Sequence, residues 1–280
     1  MAHKILIIGC GYVGLPLALR LKEKGNEVAV WVRTQAGADM LAEHRFPRIL
    51  VGNVAAEGVW KDVRDACDLV VHCASSGRGG EEAYREVFLE GARMMTLHQP
   101  QARKLLVSST SVYGQTQGEA VTEESAAEPA SATSRILREA EDTALAADAI
   151  IVRSSGIYGP NRSVLFEKFR RGEAVIEGDG LRWINQIHRD DLVSALLHLI
   201  DAGEPGQVYN ATDDTPVTHL DFYVWCGNFL GKPMPPLGPV DVQRKRGLTS
   251  KRVSNAKLRA RGWNPKYPSF REGLINVQSS

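Results

Sequence analysis

Ile7-Ile8-Gly9-Cys10-Gly11-Tyr12-Val13-Gly14 is the stretch on which the reading of this chain turns. A short apolar run, Lys4–Ile8, leads straight into Gly-x-Gly-x-x-Gly, and the amphipathic segment Leu15–Lys24 follows. Each glycine has its own physical task. Gly9 permits a tight turn, Gly11 lets the backbone approach a phosphate, and Gly14 lets helix and strand pack closely. The first N–H groups of the helix lack intrahelical partners and favour an anion. Pro16 fits the first turn, where a missing N–H leaves no bond unmade. A second apolar run, Glu27–Val32, completes a βαβ unit, the context that makes this glycine spacing a dinucleotide-binding fingerprint. Gly9, Gly11, Tyr12, Val13 and Gly14 are therefore expected to hold a pyrophosphate.

Outward from that unit, the alternation continues. Further strands are expected at Arg48–Val51, Leu69–His72, Lys104–Ser108 and Ala149–Arg153, with amphipathic segments such as Glu81–His98 between them. Near-continuous apolar strands separated by helices indicate a parallel sheet covered on both faces. The fold class is α/β, a doubly wound parallel Rossmann sheet with a second, smaller C-terminal substrate domain. After Tyr158 the alternation fails: Gly159-Pro160 breaks the chain, and Gly172, Gly178 and Gly180 punctuate a loop-rich stretch. Asp190–Ile200 reads as a helix with acidic residues at its start, and Gln207–Asn210 as one more strand. The expected division is 1–158 plus 186–214 for the dinucleotide-binding domain and 159–185 plus 215–280 for the smaller one.

Composition sets the class. In 280 residues, 43% are hydrophobic and 24% charged, with a formal net charge of +1, as in an ordinary soluble globular protein. That balance speaks against nucleic acid or a membrane surface as the main partner. The densest basic patch, Arg244–Arg246 with Lys251-Arg252, reads as a solvated face, the alternative being a phosphate site on a substrate. Cys10, Cys67, Cys73 and Cys226 form no Cys-x-x-Cys pair and no zinc-type spacing with histidine, so structural thiols and no metal site are expected. No secretory signal precedes the first strand and no apolar run approaches the roughly 20 residues of a membrane span. A cytoplasmic protein is expected.

The end of the second strand selects the cofactor. An acidic residue there would bind the ribose 2′-hydroxyl, whereas this chain has Arg33-Thr34-Gln35. A guanidinium suits a 2′-phosphate in charge and geometry, which favours NADP over NAD.

Four further motifs carry a resemblance: Val71-His72-Cys73-Ala74, Val107-Ser108-Ser109-Thr110-Ser111-Val112-Tyr113-Gly114, Arg153-Ser154-Ser155-Gly156-Ile157-Tyr158-Gly159-Pro160, and Ile187-His188-Arg189-Asp190-Asp191-Leu192. With Val208-Tyr209-Asn210-Ala211 and Leu258–Pro265, their order and spacing resemble the extended short-chain dehydrogenase/reductase superfamily of nucleotide-sugar epimerases and dehydratases along nearly the whole chain. Gly9–Ala18 also resembles the opening of nucleotide-sugar dehydrogenases that use a catalytic cysteine. Those chains are much longer, and the Ser-Ser-x-x-Val-Tyr-Gly motif is not theirs. The family resemblance adds Asn53, Val54, Cys73, Ala74 and Ser75 to the cofactor contacts.

The resemblance also implies a chemistry: hydride exchange with a sugar carbon, a hydroxyl on the substrate oxygen, a tyrosine acid/base, and a lysine four residues on that binds the ribose. Ser109 falls at the hydroxyl position. The Tyr-x-x-x-Lys pair is not present, since no tyrosine lies between Tyr113 and Tyr158. Aligning Ser134-Arg135 with the family's Ser-Lys puts Ser131 in the tyrosine's place and Arg135 in the lysine's. A serine hydroxyl near neutral pH needs a separate base. Thr110, Tyr158, Arg162 and Trp183 are the candidate substrate contacts, and Gly156 stands where the epimerases often carry an asparagine. His188 is read mainly as organising a domain junction.

Two readings follow. One is an NAD(P)-dependent enzyme that pairs Ser109 with a substitute acid/base, Tyr158 or a bound water, and acts on a small molecule, anionic or a nucleotide sugar. The other is a non-catalytic dinucleotide-binding sensor or scaffold. A homodimer is compatible with both, with Glu81–His98 as the candidate face.

Overall fold

The computed structural model describes residues 2–63, 66–77, 79–241 and 248–278; Arg244–Arg246 of the basic patch lie outside the described residues. Seven strands form one parallel sheet: β1 (Lys4–Ile8), β2 (Glu27–Val32), β3 (Arg48–Val51), β4 (Leu69–His72), β5 (Arg103–Ser109), β6 (Ile150–Ser154) and β7 (Val208–Ala211). Their order across the sheet is β7-β6-β5-β4-β1-β2-β3. The order reverses between β1 and β4, and in open α/β sheets a ligand crevice opens beyond the strand ends at such a point. In register, Ile7 lies beside Val30 of β2 and Val71 of β4. Apolar side chains on both faces of these strands leave helices on each side as the only compatible arrangement.

One face carries the helices Gly14–Glu23 and Arg189–Ala202, whose Leu17, Leu21, Leu192, Leu196 and Leu199 are buried with Ile5, Ile7, Val28 and Val30. The other carries Gly91–His98 and Ala132–Leu145. Ala132–Leu145 starts where Ser131 caps it, its side chain accepting a bond from Ser134 N. A buried ion pair ties this helix to the sheet. Arg153 on β6, 3% exposed, donates to both oxygens of Glu141, which is fully buried, and Ser108 on β5 donates to Glu141 Oε1 at 2.6 Å.

The expected single helix Glu81–His98 contains a π-helical run, Arg85–Glu90, between α-helical Glu81–Tyr84 and Gly91–His98. Its cause is tertiary. His72 at the end of β4 contacts Val87 O through Nε2 at 2.9 Å, and a Cβ on Gly91 would stand 2.5 Å from that nitrogen.

A separate apolar cluster gathers Tyr158, Phe166, Phe169, Ile176, Phe222, Tyr223, Phe270 and Leu274. Apart from Tyr158, it is drawn from the segments expected to form the smaller domain. The chain between Lys251 and Trp263 behaves differently. Lys251–Val253 pairs with Glu119–Val121, Leu258 and Trp263 join the sheet-side core, and Trp263 Nε1 donates to Ser194 Oγ at 2.9 Å. That stretch, expected in the smaller domain, covers the sheet body because its apolar residues find their partners there.

Candidate functional site

The glycine turn leaves β1 with Gly9 at φ +90°, a conformation that L side chains rarely adopt. Its position is also crowded, since a Cβ there would lie 2.3 Å from Ala74 Cα. A Cβ on Gly14 would lie 2.2 Å from Gly9 O and 3.0 Å from Cys73 Sγ. Gly11 is the opposite case: it is exposed, and a Cβ there meets nothing within 4 Å. Two glycines are therefore demanded by packing, and the third faces open space, as a backbone approached by a ligand must. Cys10 and Cys73 sit beneath the turn with their thiols pushed up to about 12 by burial, so both are protonated packing groups near neutral pH.

Beside the turn lies a shallow cleft lined in part by Gly9, Arg33, Asn53, Val54, Ala74 and Ser75. The structure thus brings six of the expected cofactor residues to one opening. Trp31, whose Nε1 donates to Gly52 O at 2.9 Å, forms part of its wall. Arg33 is exposed at the end of β2 and forms no ion pair with a described carboxylate. Asn53 Oδ1 accepts from Ala55 N at 3.0 Å and Ser75 Oγ from Gly77 N at 3.2 Å, so both side chains shape the rim by turning the chain. Val87, from the π-helical run, also lines the cleft. Nothing in its local sequence marks it, because its place depends on His72 in a different element.

Of the expected catalytic groups, Ser109 stands at the end of β5, and Ser131 and Arg135 at the start of the helix Ala132–Leu145. Ser109 Oγ accepts from Ser111 N at 3.1 Å, which leaves its own proton to donate elsewhere. Ser134 Oγ donates to Ser111 Oγ at 3.1 Å, so the helix Ala132–Leu145 is joined to this turn through hydroxyls. Thr110 is buried in the turn. Ser131 is exposed and committed as a helix cap, with Ser134 N at 3.3 Å. Arg135, also exposed, donates through Nη1 to Ala130 O. Among the described residues, no carboxylate or histidine is bonded to Ser109 or Ser131.

Tyr158 is not available as a substrate contact or acid/base. It is 2% exposed within the smaller apolar cluster, donates to Ser269 O at 3.3 Å and has an edge contact with His188. Burial, reinforced by nearby carboxylates such as Asp213, pushes its hydroxyl pKa far above that of free tyrosine. His188 is likewise buried, with Nδ1 accepting from Asp190 N at 3.2 Å, and burial lowers it to about 4. Trp183 and Arg162 have different neighbours. Arg252 lies 5.4 Å over the Trp183 ring, while Arg162 lies 5.0 Å from the centroid of Tyr12.

A family model for the NAD dependent epimerase/dehydratase family matches residues 5–212, from the first strand through the last strand of the sheet. The chain belongs to this family. Among curated relatives of this epimerase/dehydratase member, Protein YeeZ of Escherichia coli is 27% identical over 90% of this chain and 93% of its own. A 3-diazoavenalumate denitrifying reductase from a Streptomyces species is 25% identical over 97% of this chain and 99% of its own. Among solved structures, a Methylobacillus flagellatus protein described as an NAD-dependent epimerase/dehydratase is 28% identical, with TM-score 0.78, covering 100% of this chain and 98% of its own. The dTDP-glucose 4,6-dehydratase of Bacillus anthracis, solved with NAD, shares the fold at TM-score 0.82 and 20% identity, over 99% and 97% of the two chains. No helix among the described residues is long and apolar enough to cross a membrane, and no cluster of three or more potential metal ligands occurs among them.

Proposed function

We propose that this family member is an NADP-preferring oxidoreductase acting on the carbonyl of a small anionic molecule. The observation that carries the cofactor preference is Arg33, a guanidinium at the cleft mouth with no carboxylate partner among the described residues, where a ribose-binding carboxylate would otherwise stand. The residues present suit that cofactor. Gly11 opens toward the pyrophosphate, Arg33 matches a 2′-phosphate, and no carboxylate is placed at the end of β2 to repel one.

When bound, the nicotinamide supplies the hydride. The chain's part is to bind, orient and protonate. Ser109 is the group for the substrate oxygen, because one of its lone pairs accepts from Ser111 N–H and its O–H is left to donate. A serine at its ordinary acidity is not a net proton source, and Tyr158 and His188 are buried in packing. The proton therefore comes from solvent water relayed across the Ser109 hydroxyl. An anionic substrate is supported by Arg135, an exposed guanidinium in the first turn of the helix that Ser134 joins to this turn, without a described carboxylate partner. A nucleotide sugar would satisfy the same charge requirement. A homodimer and a cytoplasmic location form part of this proposal.

The test is turnover of NADPH absorbance with a panel of carbonyl and sugar-nucleotide substrates. Turnover reduced at least tenfold in kcat by Ser109→Ala, at unchanged NADPH affinity, is the expected result. Tight NADPH binding with no turnover on any of them would replace the enzyme reading with that of a dinucleotide-binding sensor. The commitment of Ser131 to a helix cap is the observation that favours that second reading.

A further inference from the structure

The glycine turn contains no cation. Gly9-Cys10-Gly11-Tyr12-Val13-Gly14 offers a dianionic pyrophosphate only backbone N–H groups and the helix end. Two positive charges reach it from elsewhere in the chain. Tyr12 projects from the turn, donates to Pro160 O at 3.1 Å, and has Arg162 and Arg189 within 5.0 and 5.2 Å of its ring. The ring is therefore a platform on which two guanidiniums are held beside the phosphate-binding backbone.

The two arginines differ in what they already satisfy. Arg189 Nε donates to Asp190 Oδ1 at 2.8 Å, so its charge is compensated. Arg162 is exposed and has no carboxylate among the described residues. Its backbone is fixed, not loose. Gly159 and Arg162 exchange both backbone bonds, at 2.8 and 3.0 Å, with Asn161 at φ 58°. Gly159, at φ +148°, leaves no room for a side chain, since a Cβ would stand 2.9 Å from Tyr12 Oη. The turn 159–162 is thus built around Tyr12, and its product is an uncompensated guanidinium at the lip of the glycine turn.

We infer that Arg162 is a pyrophosphate ligand of the bound dinucleotide, held against Tyr12 so that it closes over the glycine turn from the opposite side of the crevice. This reassigns Arg162 from the substrate to the cofactor. It rests on the dinucleotide reading above and adds a side-chain cation to it. Arg33 and Arg162 then divide the cofactor between them, one for the 2′-phosphate and one for the phosphates that NAD and NADP share.

That division gives the experiment. Calorimetric titration of the full chain uses three probes: NADP, NAD, and 2′-AMP, which has the 2′-phosphate but no pyrophosphate. Arg162→Gln is expected to weaken NADP and NAD alike, by roughly tenfold or more, and to leave 2′-AMP unchanged. Arg162→Lys should recover part of the loss, and added salt should narrow the gap between wild type and Arg162→Gln. If wild type binds the dinucleotides and Arg162→Gln binds them equally well, the inference is wrong while the cofactor reading stands. A parallel loss for 2′-AMP would also overturn it, by placing the effect at the adenosine end. Failure of wild type to bind any dinucleotide would remove both.

Discussion

Alanine at Gly11 and alanine at Gly14 are the same chemical change three residues apart, and the structure predicts opposite consequences. At Gly14 the new Cβ would stand 2.2 Å from Gly9 O and 3.0 Å from Gly9 C and Cys73 Sγ, so backbone must move. Overpacking of this kind costs about 1–3 kcal/mol, and here the obstacle is main chain, which puts the expected loss at about 2 kcal/mol or more. At Gly11 the Cβ meets nothing within 4 Å and the residue is outside the positive-φ set, so the folded state accepts it. Its stability should be unchanged or raised by about 0.4–1 kcal/mol, through the reduced freedom of the unfolded chain. The same methyl occupies the space the pyrophosphate needs. Losing one charge-assisted backbone bond there costs about 1.5–3 kcal/mol, or roughly 10- to 150-fold in dinucleotide affinity. Urea denaturation with and without saturating NADP reads both quantities. Gly14→Ala should lower the midpoint in both conditions, whereas Gly11→Ala should keep the apo midpoint and lose the shift that NADP gives wild type. A Gly11→Ala protein still stabilised by NADP to the wild-type extent would refute the assignment of the open face to the phosphates.

Two more outcomes follow from buried groups. His72 is fully buried and neutral, lowered by burial to about 4 from 6.5, so the unfolded chain binds its proton first as pH falls. Its contribution, roughly 3 kcal/mol at most, is present above pH 6.5 and is lost between pH 6.5 and 4. His72→Gln, which retains a donor for Val87 O, should flatten the fall of the urea midpoint between pH 6.5 and 4.5, and an unchanged slope would contradict the burial argument. Tyr158→Phe removes a hydroxyl bonded to Ser269 O in an apolar cluster, so stability should fall by about 1 kcal/mol with NADPH turnover within twofold of wild type. A hundredfold loss of turnover would return Tyr158 to the chemistry.

The sheet was legible because its strands are short apolar runs set between helical patterns, and β1 through β4 begin and end where the sequence places them. The later strands shift by one residue, as at Ile150–Ser154 against the expected Ala149–Arg153, because strand ends depend on pairing partners and not on hydropathy alone. The π-helical run within Glu81–His98 was not legible. It answers to contact between His72 and Gly91, two residues distant in sequence and meeting only across the sheet face. The same holds for Lys251–Val253, a basic-looking segment whose Lys251 turns inward to donate to Tyr113 O at 2.8 Å. At the site, the glycine roles could be assigned from spacing, since a tight turn and a close packing each exclude a side chain. Tyr158 could not, because its motif says nothing of Phe270 and Leu274 closing over it. Arg162 was visible as a cation, but its neighbour Tyr12, nearly 150 residues earlier, emerges only when the crevice is built.

If the cleft takes a dinucleotide carrying a 2′-phosphate, as proposed, Arg33 decides the choice of cofactor. Calorimetric titration of wild type and Arg33→Ala with NADP and with NAD tests it directly. Wild type is expected to bind NADP at least tenfold more tightly than NAD, and Arg33→Ala to remove this preference by weakening NADP alone. Equal affinities in wild type, or equal losses of NADP and NAD on removing Arg33, would contradict it.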